Sequence, residues 1–547
     1  MTEEEASSSR THRDSASSIA ASPVKTGTSG SLSASETRQP SKAHSEQAVA
    51  APPSQDVDME RVPQAGAEKL QEADEDGVIW VEFPPGDPEN PFNFSKTRKW
   101  TILLLGTLFT AEVANTASAY VPGIPSMERD LNVTNHELSL LGIALYPLGF
   151  GLPPLVLAPL SEVIGRNPMY IVCHFIYTIL FLGIGFAKNM PTVLVLRFLQ
   201  GAAGSTGSTM VGGTVADLFV SSERGPAMSL FATAALFGTG IGPVYAGWIE
   251  QNTKLEWRWI QHVQAIYTGF ILILIVLFLR ETRGSIILTR RAAKLRKTTG
   301  DPRYKARAEL ERASLSILIK NSLTRPLIFL VKEPIVSSFS LWISFTWGFM
   351  YMLLSSIGLI TKLKNYTPGQ TGLVFLAIAG AAVLGNLTNP IQEHLYRKNF
   401  ARRGPEARLY LACVGAFLFP AGCFIYGWTS FRYVSIAGPI VGVVTLMTGI
   451  YHIYLAVFNY LADAYLTYAS SALAAQSFAR NIFGFMFPLF VEQMYINLGY
   501  QWASTLSAIL GAMLGVVPFI LFFYGDKIRA KSKISQALQA QLSETKT

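Results

Sequence analysis

Residues Trp100–Tyr120 read WTILLLGTLFTAEVANTASAY. Only one residue in that stretch, Glu112, is acidic or basic. A helix rising 1.5 Å per residue needs about 20 predominantly apolar residues to cross a hydrocarbon core about 30 Å thick. A core helix of a soluble protein shows one apolar face, whereas this stretch is apolar nearly all round. Similar runs recur as far as residue 525. Five more fall in the first half: Leu138–Leu160, Met169–Ala187, Pro191–Gly213, Gly225–Ile249 and Trp259–Leu279. Six fall in the second: Ile335–Ile360, Thr371–Ile391, Leu409–Thr429, Val434–Tyr460, Ser471–Tyr495 and Ala503–Tyr524. The expected fold is an all-α membrane protein with 12 transmembrane helices in two six-helix bundles.

Composition agrees. Half of the 547 residues are hydrophobic and 15% are charged. The net charge of +8 sits in short segments beside the spans, which fits membrane orientation and not a nucleic-acid footprint. Cys173, Cys413 and Cys423 all fall inside spans and read as small buried hydrophobes. Nothing in the chain has the Gly-rich Lys-Ser/Thr loop of a nucleotide-binding site, and no metal cluster or nucleophile–base set falls in the spans. An enzyme is therefore not expected, and no cofactor.

The domain plan has five parts. Residues 1–95 form a cytoplasmic tail, disordered to about Gly77 because its Ser, Ala, Glu and Gln cannot offset the entropy of ordering. Residues 96–279 form the first bundle and 280–334 a basic linker. Residues 335–525 form the second bundle and 526–547 a second tail. The linker carries Arg290, Arg291, Lys294, Arg296, Lys297, Arg303, Lys305 and Arg307, so the positive-inside rule puts it in the cytoplasm. An even span count then places both termini there. Arg397, Lys398, Arg402 and Arg403, and Lys527, Arg529, Lys531 and Lys533, follow the same rule. The sequons at Asn132 and Asn365 fall in external loops, as glycosylation requires.

Three motifs carry a family resemblance. Ala158-Pro-Leu-Ser-Glu162-Val-Ile-Gly165-Arg166-Asn167-Pro168 resembles the G-x-L-a-D-r-x-G-r-r signature of the major facilitator superfamily, with Glu162 in the Asp position and Asn167 in place of a basic residue. Arg197-Phe-Leu-Gln200-Gly201-Ala-Ala-Gly204 is similar to that family's R-x-x-Q-G motif. Gly238-Thr-Gly-Ile-Gly242-Pro243-Val-Tyr-Ala246-Gly247 resembles the G-x-x-x-G-P-x-x-G-G motif of its drug:proton antiporters. Physically, the glycines admit close helix approach and Pro243 bends the helix. Asn459–Tyr465, Ser471–Ala475, Arg480 and Phe487–Phe490, with Leu288–Lys297, resemble the fungal 12-span antiporter group of multidrug, polyamine and secondary-metabolite exporters. The resemblance covers residues 90–535 and implies proton coupling through Arg197.

The residues offer site candidates. Glu112 and Asn115 share a helix face, and a carboxylate at that depth suits a proton carrier, a cation contact or a structural pair. Arg197 and Gln200 share another face, and Arg197 also suits a substrate carboxylate. Trp347 and Tyr351 form either an aromatic wall for an organic ligand or bundle packing. His452, the one histidine placed deep in a span, is a proton relay or a packing residue. The expected assignment gives coupling to Glu112 and Arg197. It gives the substrate cavity to Asn115, Gln200, Trp347, Tyr351 and His452, and the cytoplasmic gate to Glu162, Gly165, Arg166, Asp463 and Arg480.

The function so expected is proton-coupled export of a small organic metabolite by a monomer in the plasma membrane, with an internal membrane such as the vacuole as the alternative. Its partners are the small-molecule substrate, protons and the lipid bilayer. Glu112 leans toward cations such as polyamines, Arg197 and His452 toward organic acids. A dedicated exporter is favoured over a broad drug or polyamine pump. Proton-coupled uptake and a non-transporting sensor are the rivals.

Overall fold

The computed structural model describes residues 77–220, 223–310, 315–465 and 468–532. The expected disordered tail up to Gly77 and Lys533 in the second tail lie outside the described residues.

Among the described residues further helices, including Gly284–Thr299 and Leu315–Lys332 in the linker, lie between twelve helical units that each overlap one predicted run. In the first half they are α1 (Lys96–Ala119), α2 (His136–Gly151 and Pro154–Ile164), α3 (Arg166–Gly185), α4 (Met190–Gly204 and Thr206–Leu218), α5 (Arg224–Gln251) and α6 (Glu256–Phe278). In the second they are α7 (Pro334–Leu363), α8 (Pro368–Val374 and Leu376–Arg403), α9 (Tyr410–Thr429), α10 (Ala437–Tyr465), α11 (Ala469–Met486 and Val491–Leu498) and α12 (Tyr500–Leu514 and Val517–Lys531). Eight stretches are long and apolar enough to cross a membrane, nine if the two pieces of α2 are one span bent by 41°. One of the eight, Pro368–Thr429, runs through both α8 and α9. The bend in α2 falls at Pro153 and Pro154, where missing N–H donors interrupt the ladder.

Burial sorts the helices. The most apolar stretch of α7 is 89% buried and that of α10 is 78%, whereas α6 and α12 reach only 33%. Central and peripheral helices follow from those shares. The outer face of α3 exposes Val172, Phe175, Ile176 and Ile179, and that of α6 exposes Phe270, Ile273, Val276 and Leu277. Such a belt is stable against hydrocarbon, not water. Within the first half α1 packs on α5, α2 on α4 and α3 on α6. Within the second, α9 packs on α10 and α12, and α7 on α11. The halves meet where α2 faces α11 and α5 faces α8.

The segment just before α1 departs from expectation. Residues 77–95, assigned to the tail, are built onto the linker. Strand β1 (Ile79–Trp80) pairs in parallel with β2 (Tyr304–Lys305), Ile79 opposite Tyr304. Val81 is buried with Ala292 and Ala306 in a small apolar core. Arg291 holds Asp87 at 2.6 Å and Glu89 at 2.7 Å, and Arg307 holds Glu82 at 2.9 Å. Part of the basic charge that orients the linker is thus matched within the chain.

The hydrogen bond from Arg291 holds the Asp87 carboxyl below the usual carboxylate range. Its contribution is therefore complete above the unfolded pKa, about 3.9, and is lost as pH falls through the lower folded value. The clamp should stay closed from pH 5 to 8. Arg291→Ala should open it at neutral pH, with several-fold faster amide hydrogen exchange across 77–95. Unchanged exchange there would mean that the strand pairing alone holds the segment.

Candidate functional site: a cavity between the halves

A cavity of about 50 Å³ lies between the two halves. Helix α1 contributes Thr110, Val113 and Ala114, and α2 contributes Tyr146 and Phe150. From the other half come Trp347, Met350 and Tyr351 of α7, Tyr454 of α10, and Arg480 and Asn481 of α11. The volume holds a few waters and is well below the several hundred Å³ of an ordinary ligand pocket. The arrangement is a contracted one. Trp347 and Tyr454 stack at 5.3 Å and 23°, and the Arg480 guanidinium lies 4.2 Å from the Trp347 ring and 5.2 Å from that of Tyr454.

The predicted residues divide. Trp347 and Tyr351 line the cavity, one helical turn apart. Asn115, Gln200 and His452 do not. His452 instead packs in the second half, 3.0 Å from the Thr388 hydroxyl, beside a smaller cavity of about 10 Å³. Arg480, expected at the gate, is a cavity residue.

Glu112 and Arg197 lie in the interior of the first half, behind the cavity wall. Glu112 is 3% exposed, and neither carboxylate oxygen has a hydrogen-bond partner. Its Oε2 sits 3.5 Å from Nε2 of His174, which is fully buried on α3. The same Nε2 lies 3.2 Å from the Thr268 carbonyl, so that nitrogen carries the proton. His174 corrects the expectation that His452 is the one histidine deep in a span. It stands within Met169–Ala187, and the run of apolar neighbours around it was the available signal.

Arg197 is fully buried. It donates to the Gly142 carbonyl at 3.1 Å, the Thr116 carbonyl at 3.3 Å and Gln200 Oε1 at 2.9 Å. Its guanidinium lies 4.5 Å from the rings of both Tyr120 and Tyr146. Asn115 accepts from Tyr245 at 3.0 Å and donates to Tyr267. Tyr146 joins this interior to the cavity. Its ring lines the cavity, while its hydroxyl donates to the Val113 carbonyl at 2.9 Å and lies 3.3 Å from that of Tyr177. Tyr177 in turn donates to Thr116 at 2.6 Å.

At the linker end, the expected latch has different partners. Arg166 pairs with Asp217 of α4 at 3.0 Å and donates to Ser161 at 3.1 Å. Glu162 is half exposed and reaches only Arg283, at 4.0 Å. The second carboxylate is Glu281, which accepts the backbone N–H groups of Arg166 at 3.0 Å and Asn167 at 3.4 Å. It thereby caps the positive N-terminus of α3. Gly165 has φ 114°, and an added Cβ would come within 2.3 Å of Glu281. Asp463 and Arg480, both assigned to the gate, lie apart in their contacts. Asp463 takes Arg408 at 2.8 Å, and Arg408 also holds Glu393 at 2.9 Å. Arg166 opens the third helix of its half and Asp217 closes the fourth. Arg408 precedes the third helix of the second half, and Asp463 closes the fourth. The two clusters occupy corresponding places.

The glycines of α5 work on two faces. An added Cβ at Gly238 would meet the Ala111 carbonyl at 2.1 Å, and one at Gly242 the Ser118 hydroxyl at 2.4 Å, both on α1. At Gly240 it would meet Ala379 at 2.5 Å and at Gly247 the Pro368 carbonyl at 2.3 Å, both on α8. Pro243 lies inside the helix, its carbonyl against Gly372 of α8. At the end away from the linker, His136 bridges Glu128 at 2.5 Å and Glu492 of the other half at 3.1 Å, and Gln493 donates to Glu137. Asn132 and Asn365 are exposed there with φ of 52° and 57°, a conformation that Asn tolerates better than most residues.

Comparison with known proteins follows this geometry. The family described as "Major Facilitator Superfamily" matches residues 105–488. The "MFS-type efflux pump MFS2" of Trichophyton rubrum is 36% identical over 85% of this chain and 78% of its own. The "Efflux pump FUBT" of Fusarium oxysporum is 36% identical over 82% and 77%. The "Major facilitator superfamily multidrug transporter mdrA" of Aspergillus fumigatus is 34% identical over 85% and 77%. The xylose transporter XylE from E. coli, in a partially occluded inward-open conformation, shares the fold at a TM-score of 0.55, with 15% identity over 78% of this chain and 99% of that one. With a family match across both halves and relatives aligned over most of its length, the chain belongs to the Major Facilitator Superfamily and is a multi-pass membrane transporter, not an enzyme.

Proposed function

We propose that the chain is a monomeric proton-coupled antiporter that exports a small organic metabolite across the plasma membrane, with twelve spans and both termini in the cytoplasm. The observation that carries this reading is the buried Glu112–His174 pair, packed beside the ring of Tyr177, whose hydroxyl lies against that of the cavity residue Tyr146. The names of the relatives, efflux pumps and a multidrug transporter, support the outward direction. The basic linker supports the orientation, which puts His136, Glu492 and the glycan acceptors Asn132 and Asn365 outside.

In the proposed cycle the cavity opens to the cytoplasm and the substrate lies against Trp347 and Tyr351. Rocking of the halves carries the substrate outward. The Arg166–Asp217 and Arg408–Asp463 clusters hold the inner ends of each half together. A proton taken up at Glu112 from outside removes a buried charge, which reaches the cavity wall through Tyr146 and favours release of substrate. Return of the proton to the cytoplasm resets the site.

The test is mass spectrometry of medium and extract from cells with and without the chain, repeated with a protonophore. The expected result is one compound that disappears from the medium and builds up inside on deletion, and whose export the protonophore stops. Identical profiles would count against a dedicated exporter. The aromatic wall favours one second reading, a broad drug pump, which would show as simultaneous sensitivity to several unrelated apolar compounds.

A further inference from the structure

The cavity carries one charge, and it is positive. We infer that Arg480 is the anchoring group for substrate, and that the substrate class is an organic anion with a single carboxylate on a flat apolar body. This rests on the export reading and specifies its ligand.

Arg480 is 3% exposed and lines the cavity, yet its Nε and Nη1 have no hydrogen-bond partner. No carboxylate pairs with it among the described residues, and none lines the cavity. Aromatic faces hold the cation instead: Trp347, Tyr454 and Phe458, with ring centres 4.2, 5.2 and 5.8 Å away. Contact with ring faces stabilises a guanidinium without using its N–H groups, which lie in its own plane. Either Nε or Nη1, paired with Nη2, forms the planar fork that matches the two oxygens of a carboxylate.

Several other polar groups on the wall are already committed, and those that are not, such as the hydroxyls of Ser208 and Tyr351, are neutral. Thr110 donates to the carbonyls of Gly106 and Gly207, Thr239 to Ala235, Tyr146 to Val113 and Asn481 to Ser477. The strongest unused donor facing the cavity is therefore Arg480. A buried cation without a counter-ion is costly in a membrane protein, and a bound carboxylate removes that cost, whereas a polyamine would add like charge. The stacked rings of Trp347 and Tyr454 beside it suit a flat apolar body. Arg197 does not compete for the role, because carbonyls and Gln200 occupy its Nε and Nη1 and it lies off the cavity.

The experiment measures equilibrium binding of radiolabelled 2-naphthoate, 2-naphthamide and 2-naphthylmethylamine to the purified full chain. One ring system then carries a negative, a neutral or a positive group. Wild type should bind the acid about tenfold or more tighter than the amide, the scale of a charge-assisted pair, and the amine weakest. Arg480→Gln should abolish the preference for the acid while leaving amide affinity unchanged. Arg480→Lys keeps the charge without the bidentate geometry and should retain only part of it. That variant serves also if the Gln form does not fold.

Equal binding of acid and amide by wild type, or strongest binding of the amine, overturns the inference. So does an acid preference that survives Arg480→Gln, or no binding of the acid at millimolar concentration. These outcomes leave the export reading intact if cells still expel their metabolite by a protonophore-sensitive route. Loss of that export with acid preference retained would reject the antiport reading alone.

Discussion

Glu112→Gln should stop proton-driven export, with a fall of about 100-fold or more, the scale on which removal of a positioned proton-transfer group acts. Gln has the shape of a protonated Glu but cannot release a proton. Among the described residues His174 is the basic side chain set against Glu112, and its Nε2–H is committed to the Thr268 carbonyl, so it does not replace the lost group. The variant should fold, since neither carboxylate oxygen accepts a hydrogen bond that the amide would break. Substrate exchange without net proton movement should persist. The measurement is flux in proteoliposomes under an imposed pH gradient, set beside counterflow at equal pH. Gradient-driven flux at the wild-type rate would falsify the coupling role. Loss of both fluxes with normal folding would mean that Glu112 shapes the conformational cycle itself.

A second large effect is expected at Gly238. Its added Cβ would fall 2.1 Å from the Ala111 carbonyl oxygen and 2.8 Å from the carbonyl carbon. These are backbone atoms of the neighbouring helix, so relief requires α5 to move away from α1. Gly238→Val should therefore cost roughly 2–4 kcal/mol, the upper range for overpacking a well-packed site. Since a loss of about 1–2 kcal/mol already changes cellular abundance several-fold, the surface population should fall several-fold or more. Gly212, also within a helix, meets nothing within 4 Å. Gly212→Ala should be neutral or slightly stabilising, because Ala is the better helix former by about 1 kcal/mol. Thermal midpoints by fluorescence-detected gel filtration would separate the two. Equal behaviour of both variants would show that the α1–α5 contact is not tight.

The helices were legible because hydrocarbon imposes a length and a composition that a window of sequence records directly. The aromatic wall was legible for a similar reason, since Trp347 and Tyr351 lie four apart on one helix. Partner choice was not. Asp463 and Arg480 lie on consecutive helices near one another in sequence, which assigned both to the gate. The direction in which each helix presents its side chain sends Arg480 to the aromatic cavity and Asp463 to Arg408. Arg166 likewise has Glu162 four residues before it, yet takes Asp217 from another helix. His174 could have been read from its place in an apolar run, but its meaning depends on Glu112 reaching it from α1. Residues 77–95 resembled a tail in composition, and only the return of the chain at Tyr304 supplies a strand for Ile79.

The two-faced helix α5 has a mechanical consequence. Where side chains interlock, one helix can turn against another only by lifting over a series of ridges, and each ridge is an energy barrier. Gly240 and Gly247 remove the ridges on the side toward α8, so that the rocking of the halves proposed above meets no interlocked side chains there. Gly238 and Gly242 use the same absence of side chain to fasten α5 to α1. The helix is thus both axle and bearing. Bulk added toward α1 disassembles the axle, and a methyl added at Gly247, 2.3 Å from the Pro368 carbonyl, should prise α5 from α8 and part the halves.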